Sequence, residues 1–578
     1  MASLLLGPLL RHVGRHHATL WVETDGPCTV EVLGRREPTF TMAGHHYALV
    51  RVEDLPAGTA TPYEVRLDGD LAWPPSGSPY PAGRIRTLEE SRPVRLSFGS
   101  CRYAAMSAQP DGTGMPPDAL DGYARRLATT PPEQWPELLL LLGDQVYADE
   151  LTPATRSRIA VRPGRPPSPP DDQVADFEEY TWLYRESWQD PPVRWLLSTV
   201  PTAMIFDDHD VHDDWNTSRS WRQDMAATPW WPERIIGALT SYWIYQHLGN
   251  LSPEELDADP LYRDVRARAG TGEDVAGLLR DFALAADREA DGAKGARWSF
   301  WRDLGRTRLV VVDSRCGRIL DGQRSMIGDR EFAWVADRVR GEYDHLVIGT
   351  SLPWLLAPAV HDVEAWDERL SEHRRPRLAR LGERLRRAGD LEHWAAFQAS
   401  FEGLAGLLRA VARGEHGGPA PATICVLSGD VHHSYVCEAD LGPKGPGRCA
   451  TFQITCSPVR NRVPATMRLA FRLGWSRVAE HGTRLVLGRV ARIPRPSLTW
   501  RRIAGPVFGN AVASLVLDGR RADLVIESPV SPVSPVSPPS LASLVSRARR
   551  AGAAPGAPAG PADARSGLRT VVRRTLAG

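Results

Sequence analysis

The chain has 578 residues, with 70 Lys plus Arg against 70 Asp plus Glu, so its formal charge at neutral pH is zero. That length accommodates one large catalytic domain and one or two smaller units, and the charge balance argues against a protein that coats a polyanion or binds nucleic acid, since those carry a basic excess. The seven cysteines are scattered, odd in number and without CxxC spacing, which argues against a disulfide framework, excludes a CxxC-type zinc site and fits a reducing compartment.

The chain opens MASLLLGPLLRHVG, where Gly7 and Pro8 interrupt a short apolar stretch. A signal peptide needs a basic start, a longer apolar core and a cleavage site. The longest apolar run elsewhere, in PELLLLLGD, is too short to span a bilayer. A cytoplasmic, monomeric protein is therefore expected. Residues 1 to about 90 read as a small all-β domain of immunoglobulin or fibronectin-like type. ATLWVET, CTVEVLG, YALVRVEDL and PYEVRLDG alternate roughly between apolar and polar, and Gly, Pro and Asp separate them, as in half-buried antiparallel strands. The pairs His16–His17 and His45–His46 gain no metal role, because adjacent residues on a strand face opposite ways.

From Arg95 the pattern changes. VRLSFGSC, ELLLLLGDQVY, TAMIFDDHD, TRLVVVDSR, HLVIGTSLP and TICVLSGDVHHS are short apolar runs, each followed at once by polar residues. Buried central strands of an α/β sheet read this way, and ligands in such sheets sit beyond the carboxyl ends of the strands. Residues 151–172 read as a Pro-rich loop and 360–415 as one or two amphipathic helices. The block 457–502 is rich in arginine, with Glu480 its only acid. It fits a surface hairpin, a cationic lid over the site, or a segment lying on an anionic membrane. FGNAVASLVLDGRRADLVIES reads as a β-hairpin turning at Asp518–Gly519. The organisation is thus a β domain over 1–90, a catalytic domain over 95–527 and a disordered Pro/Ser/Ala-rich tail over 528–578, which begins in the repeat SPVSPVSPVSPPS.

Four strand ends carry candidate chemistry. FDDHDVHDDW crowds Asp207, Asp208, His209, Asp210, His212, Asp213 and Asp214 together, and such a cluster is costly unless a cation neutralises it. In LLLLLGDQVYADE, Gly143 permits a turn and Asp144 follows the strand, with Tyr147 three residues on. A carboxylate there can bridge two metals, and a tyrosinate can bind a hard trivalent ion. LSGDVHHSY places Asp430 and His432 on one face of an extended backbone, with His433 facing away. Imidazole with carboxylate suits zinc, iron or manganese. SFGSCRY offers Cys101 and then Arg102, whose forked guanidinium suits a phosphate.

GSCR, GDQVY, DDHD and GDVHHS, in that order, resemble the metal-site motifs of the PhoD-like phosphatases, a branch of the calcineurin-like metallophosphatases. VVDSR at 311–315 and GTSLPW at 349–354 resemble two further landmarks. The resemblance covers about residues 95–460. It implies a four-layer α/β/β/α sandwich and a dinuclear centre, associated in the family with iron and calcium. The implied metal ligands are Cys101, Asp144, Tyr147, Asp207, Asp208, Asp430 and His432. It departs from the superfamily before the GDVH motif, where a histidine ligand is common and only Ser351 is available. The oxygen-rich set favours calcium at one position.

The expected function is hydrolysis of small phosphate esters between two metals. His209, oriented by Asp210, would serve the leaving group, and Arg102 would place the phosphate. Two alternatives stand beside it. A hydrolase of non-phosphate esters would be separated by its reporter substrates, and a phospholigand-binding protein without turnover by a metal analysis paired with an activity assay.

Overall fold

The aliphatic runs fold as two mixed sheets that face each other, with helices outside them. The computed structural model describes residues 1–104, 115–165, 169–291, 296–441, 448–530 and 567–578. One sheet has six strands in the order Thr202–Ile205, Leu138–Leu142, Val94–Gly99, Val512–Asp518, Arg521–Pro529 and Leu568–Ala577. Its first three strands are mutually parallel and the rest antiparallel. The other has seven, in the order Phe300–Leu304, Thr307–Val312, His345–Thr350, Thr423–Ser428, Ala450–Thr455, Ser434–Asp440 and Thr499–Val507.

Side-chain alternation along the strands explains the layering. Leu309, Val311, Val347, Cys425 and Leu427 join the core shared with Leu140 and Leu142 of the first sheet. Their neighbours Val310, Leu346, Ile348, Ile424 and Val426 face Phe401, Leu404 and Leu408 of the outer helix Gln398–Ala412. Both faces of each central strand are therefore apolar, which is why the runs are continuous. Helices Ala119–Ala128 and Pro191–Thr199 cover the far side of the six-stranded sheet, giving the four α/β/β/α layers.

The N-terminal β domain pairs two four-stranded sheets. One runs Leu4–Val13, Ala18–Thr24, His45–Val52, Phe40–Met42, and the other Arg35–Pro38, Thr29–Val32, Val65–Leu67, Asp70–Trp73. The leading segment MASLLLGPLLRHVG thus supplies an edge strand. The strand Ala18–Thr24 is buried along its whole length rather than half-buried, because its second face docks on the catalytic part. Leu20 and Val22 fill the sandwich, whereas Trp21 packs on Tyr245. Arg11, fully buried, reaches across to Asn250 Oδ1 at 3.3 Å and the Gln246 carbonyl at 2.5 Å. Gly249 admits it, since a Cβ there would lie 1.8 Å from Arg11 Nε.

Three expectations need correction, and the Arg-rich block takes its helical-hairpin reading. The tail does not lie wholly outside the fold, because Leu568–Ala577 adds the sixth strand beside Arg521–Pro529; residues 531–566, which hold most of the SPV repeat, lie outside the described residues. The Pro-rich loop contains the helix Pro153–Ala160, with Pro153 at its first turn and the Thr152 hydroxyl capping Thr155 N. The segment 360–415 forms three helices, Pro358–Ser371, Pro376–Ala388 and Gln398–Ala412. The Arg-rich block holds helices Ala465–Gly474 and Arg477–Val486 and then begins the edge strand Thr499–Val507. Among the described residues no helix is long and apolar enough to cross a membrane.

Candidate metal centre

The carboxyl ends of the parallel strands in both sheets meet at one edge. Cys101 follows Val94–Gly99, Asp144 follows Leu138–Leu142, and Asp207 and Asp208 follow Thr202–Ile205. Opposite them, Arg315 follows Thr307–Val312 and Asp430 follows Thr423–Ser428. Backbone bonds stitch the turns together: Cys101 N donates to Gly143 O at 3.1 Å, Arg102 N to Asp144 O at 3.0 Å and Gly429 N to Ser351 O at 2.8 Å. Cys101, Asp144, Asp430 and His432 all adopt positive φ, between 49° and 64°. Such strain is held only where surrounding structure over-determines it, and it gathers at functional sites. Gly143, with φ of 103°, is required at its turn, because a Cβ would come within 2.6 Å of Asp207 Cβ.

Three of the sequence-predicted ligands fall into one cluster. Asp144, Asp207 and Asp208 each offer an oxygen within 4.8 Å of the others. Asp144 Oδ1, Asp207 Oδ2 and Asp208 Oδ1 are buried without a hydrogen-bond partner. The Cys101 thiol lies 3.3 Å from Ser457 Oγ and 3.7 Å from the Asp430 carbonyl. Tyr147 stacks near His209, and its hydroxyl accepts from Asn461 Nδ2 at 3.0 Å. Asp430 and His432 interact electrostatically, and His432 also senses His209. They do so through left-handed turns rather than the extended backbone that the spacing suggested. His433 faces away, stacking on Phe471 at 4.3 Å.

Charge decides what this cluster can hold. Burial, and then repulsion among the acids, pushes Asp144 and Asp207 well above the ordinary carboxylate range. Burial likewise raises the Cys101 thiol and the Tyr147 phenol, with nearby acids adding to it. Arg315 sits fully buried among Asp207, Asp208 at 3.3 Å, Glu392 at 2.5 Å and Asp430 at 3.9 Å. Arg318 adds a second guanidinium on Glu392 at 3.1 Å. With Asp144, five carboxylates therefore face two guanidiniums. Buried oxygens without a hydrogen-bond partner, a thiol and a phenol beside surplus acids form a donor set that fits cations.

Two expected roles are corrected. Asp210 does not orient His209. Its carboxylate accepts from the amides of Asp144 and Asp207 at 2.9 Å each, from Gln145 at 3.2 Å and from Val146 at 3.3 Å, so it fixes the two ligand-bearing turns. Asp149 holds His209 instead, at 3.0 Å from Nδ1. Arg102 is turned to Asp118, 2.9 Å from both Nε and Nη2, and to the Ser187 carbonyl and hydroxyl. Only 2 % exposed and paired with Asp118, this guanidinium is directed into the protein interior.

The structure also adds residues that sequence reading missed. His393 Nε2 meets Asp430 Oδ2 at 2.9 Å, while its Nδ1 meets Glu364 Oε1 at 2.7 Å. Carboxylate–imidazole chains of this kind orient groups around metals. Arg315 lies in the VVDSR landmark, which marked its neighbourhood without a role. Asp149 lies in the run LLLLLGDQVYADE, two residues after Tyr147, which gave it no role, and His393 and Glu364 have no local motif.

Fold and site together gather acids from both sheets at one shared edge, where Asp144, Asp207 and Asp208 could hold a metal ion. Residues 119–472 match the family model described as PhoD-like phosphatase, and residues 1–85 match a domain of unknown function (DUF7800). The chain belongs to the PhoD-like phosphatase family. A solved structure titled "Structure of PhoD" superposes with a TM-score of 0.50, covering 92% of this chain and 88% of that one at 11% identity; this supports the fold alone. No curated protein matches the sequence. Cys101 lies ahead of the matched family span.

Proposed function

We propose that this chain hydrolyses phosphate esters through a dinuclear metal centre. Its ligands are Cys101, Asp144, Tyr147, Asp208, Asp430 and His432, with Asp207 at the same edge. The carrying observation is the trio of buried carboxylate oxygens on Asp144, Asp207 and Asp208 that lack a hydrogen-bond partner. Thiolate and phenolate donors would suit ferric iron at one position, and the carboxylate oxygens would suit calcium at the other; zinc or manganese would fit the same donors. When bound, the pair would supply Lewis-acid charge to the phosphoryl oxygens and a nucleophile at neutral pH.

The protein's own groups do the rest. Asp149 fixes the His209 ring through Nδ1, leaving Nε2 to give a proton to the departing alkoxide. Burial alone would lower the His209 pKa, but Asp149, Asp208 and Asp144 together hold it well above the ordinary value. Glu364 and His393 hold the Asp430 carboxylate in place. Arg315 provides fixed positive charge among the acids and sets their spacing.

The test is turnover of phosphomonoester and phosphodiester reporters by the purified chain, before and after chelation. Asp144→Asn and Asp208→Ala are expected to abolish turnover with an unchanged melting temperature. Normal activity in either variant, or cleavage of carboxyl esters alone, would sink the assignment.

A further inference from the structure

A surface helix ordinarily turns its apolar stripe to the core and its charges to water. The helix Arg477–Val486 does the reverse. Val478 is 84% exposed, Leu485 53% and Val486 54%. Its polar side faces the protein: Thr483 donates to Asp362 Oδ2 at 3.3 Å, and Arg484 pairs with Asp362 at 2.6 Å on the helix Pro358–Ser371. The preceding helix Ala465–Gly474 shares the inversion, with Leu469 59% and Leu473 57% exposed. Phe471 points inward against His433, and Trp475 Nε1 donates to His433 Nε2 at 3.3 Å. The hairpin is therefore anchored one residue from His432.

Interleaved with the exposed aliphatics are Arg468, Arg472, Arg477 and Arg489, all exposed, and none forms an ion pair among the described residues. Between Arg462 and Arg502 the chain has Glu480 as its only acid. A nucleic acid would match the arginines but gain nothing from bare Val and Leu. A second copy of this chain would have to bring its own acidic partner to the arginines. An anionic lipid surface matches both features: aliphatic side chains enter the acyl boundary while guanidiniums stay at the headgroups.

We propose that the hairpin Ala465–Val486 docks this protein on anionic membranes. The reading is independent of the metal centre, because binding is scored without turnover.

The experiment is co-sedimentation of the full-length protein with phosphatidylcholine vesicles and with vesicles of equal phosphatidylcholine and phosphatidylglycerol. Binding is expected to the mixed vesicles and not to the neutral ones, and it should weaken as salt rises. The double variant Val478→Glu/Leu485→Glu is expected to lose partitioning about tenfold or more at an unchanged melting temperature. A second double variant, Arg472→Gln/Arg477→Gln, should lose binding while keeping the apolar stripe. No binding to mixed vesicles, or equal binding by the Glu variant, would overturn the proposal. So would a concentration-dependent dimer that the Glu variant abolishes, because a second copy would then be what covers this face.

Discussion

His209 shows how a site is built from residues distant in sequence. The neighbour Asp210 was the natural candidate to orient it, yet that carboxylate is occupied by four backbone amides at the strand ends. Asp149, sixty positions away, supplies the bond. Asp149→Asn is expected to lower kcat about 10- to 100-fold with KM little changed; steady-state kinetics on a phosphate-ester reporter checks this, and an unaltered kcat would remove Asp149 from the account. His393→Gln should weaken metal retention about 10- to 100-fold, read by titration with a competing chelator, because Asp430 then loses its brace. Unchanged affinity would make His393 a bystander. The ligands at strand ends were legible because each follows an apolar run directly. Glu364 and His393 were not, because they reach the site from an outer helix and a loop whose packing no local pattern encodes, and Asp149, though inside LLLLLGDQVYADE, had nothing in the sequence to tie it to His209. Arg102 misled for a related reason. Its place after Cys101 suggested a phosphate, and only burial reveals that Asp118 claims it.

At the scale of elements, the sixth strand Leu568–Ala577 is the least expected piece. Leu568, Val572 and Leu576 are buried against the sheet. Thr570 and Arg574 fall between them on the same parity, so the two-residue alternation that signals a strand is broken. Each of the three apolar side chains contributes up to about 1.5–3 kcal/mol when fully buried. Ending the chain after Val530 should therefore lower the melting temperature by several degrees and leave the edge Arg521–Pro529 open to self-association. An identical melting curve would show that the strand adds nothing. The continuous runs VRLSF, LLLLL and TICVL, by contrast, announced central strands because both of their faces are buried.

Over the whole molecule, the N-terminal domain is bolted to the catalytic part by polar contacts across an apolar seam. His45 meets Glu178 at 2.6 Å and Glu23 at 3.6 Å. Burial alone would lower its pKa, but Glu178 and Glu23 outweigh that and push it up to about 9. His45 chiefly holds Glu178 down, at about 2. The His45 share of stability is complete below its unfolded value of 6.5 and is lost as pH rises through about 9. The Glu178 share is complete above 4.5 and is lost as pH falls through about 2. His45→Phe should accordingly lower the melting temperature at pH 6 by about 1–3 °C, and by less at pH 10. Equal shifts at both values would contradict the ion pair. The paired histidines gave no hint of this seam, because the Glu178 that His45 meets lies on the distant helix Phe177–Trp188.

Both sheets deliver acids to a common edge, and that convergence is the claim on which the function rests. Elemental analysis of the purified chain, compared with its Asp144→Asn variant, tests it most directly. Two metal equivalents per chain are expected, falling to one or none in the variant together with activity. Full phosphate-ester turnover by exhaustively metal-free protein would contradict it.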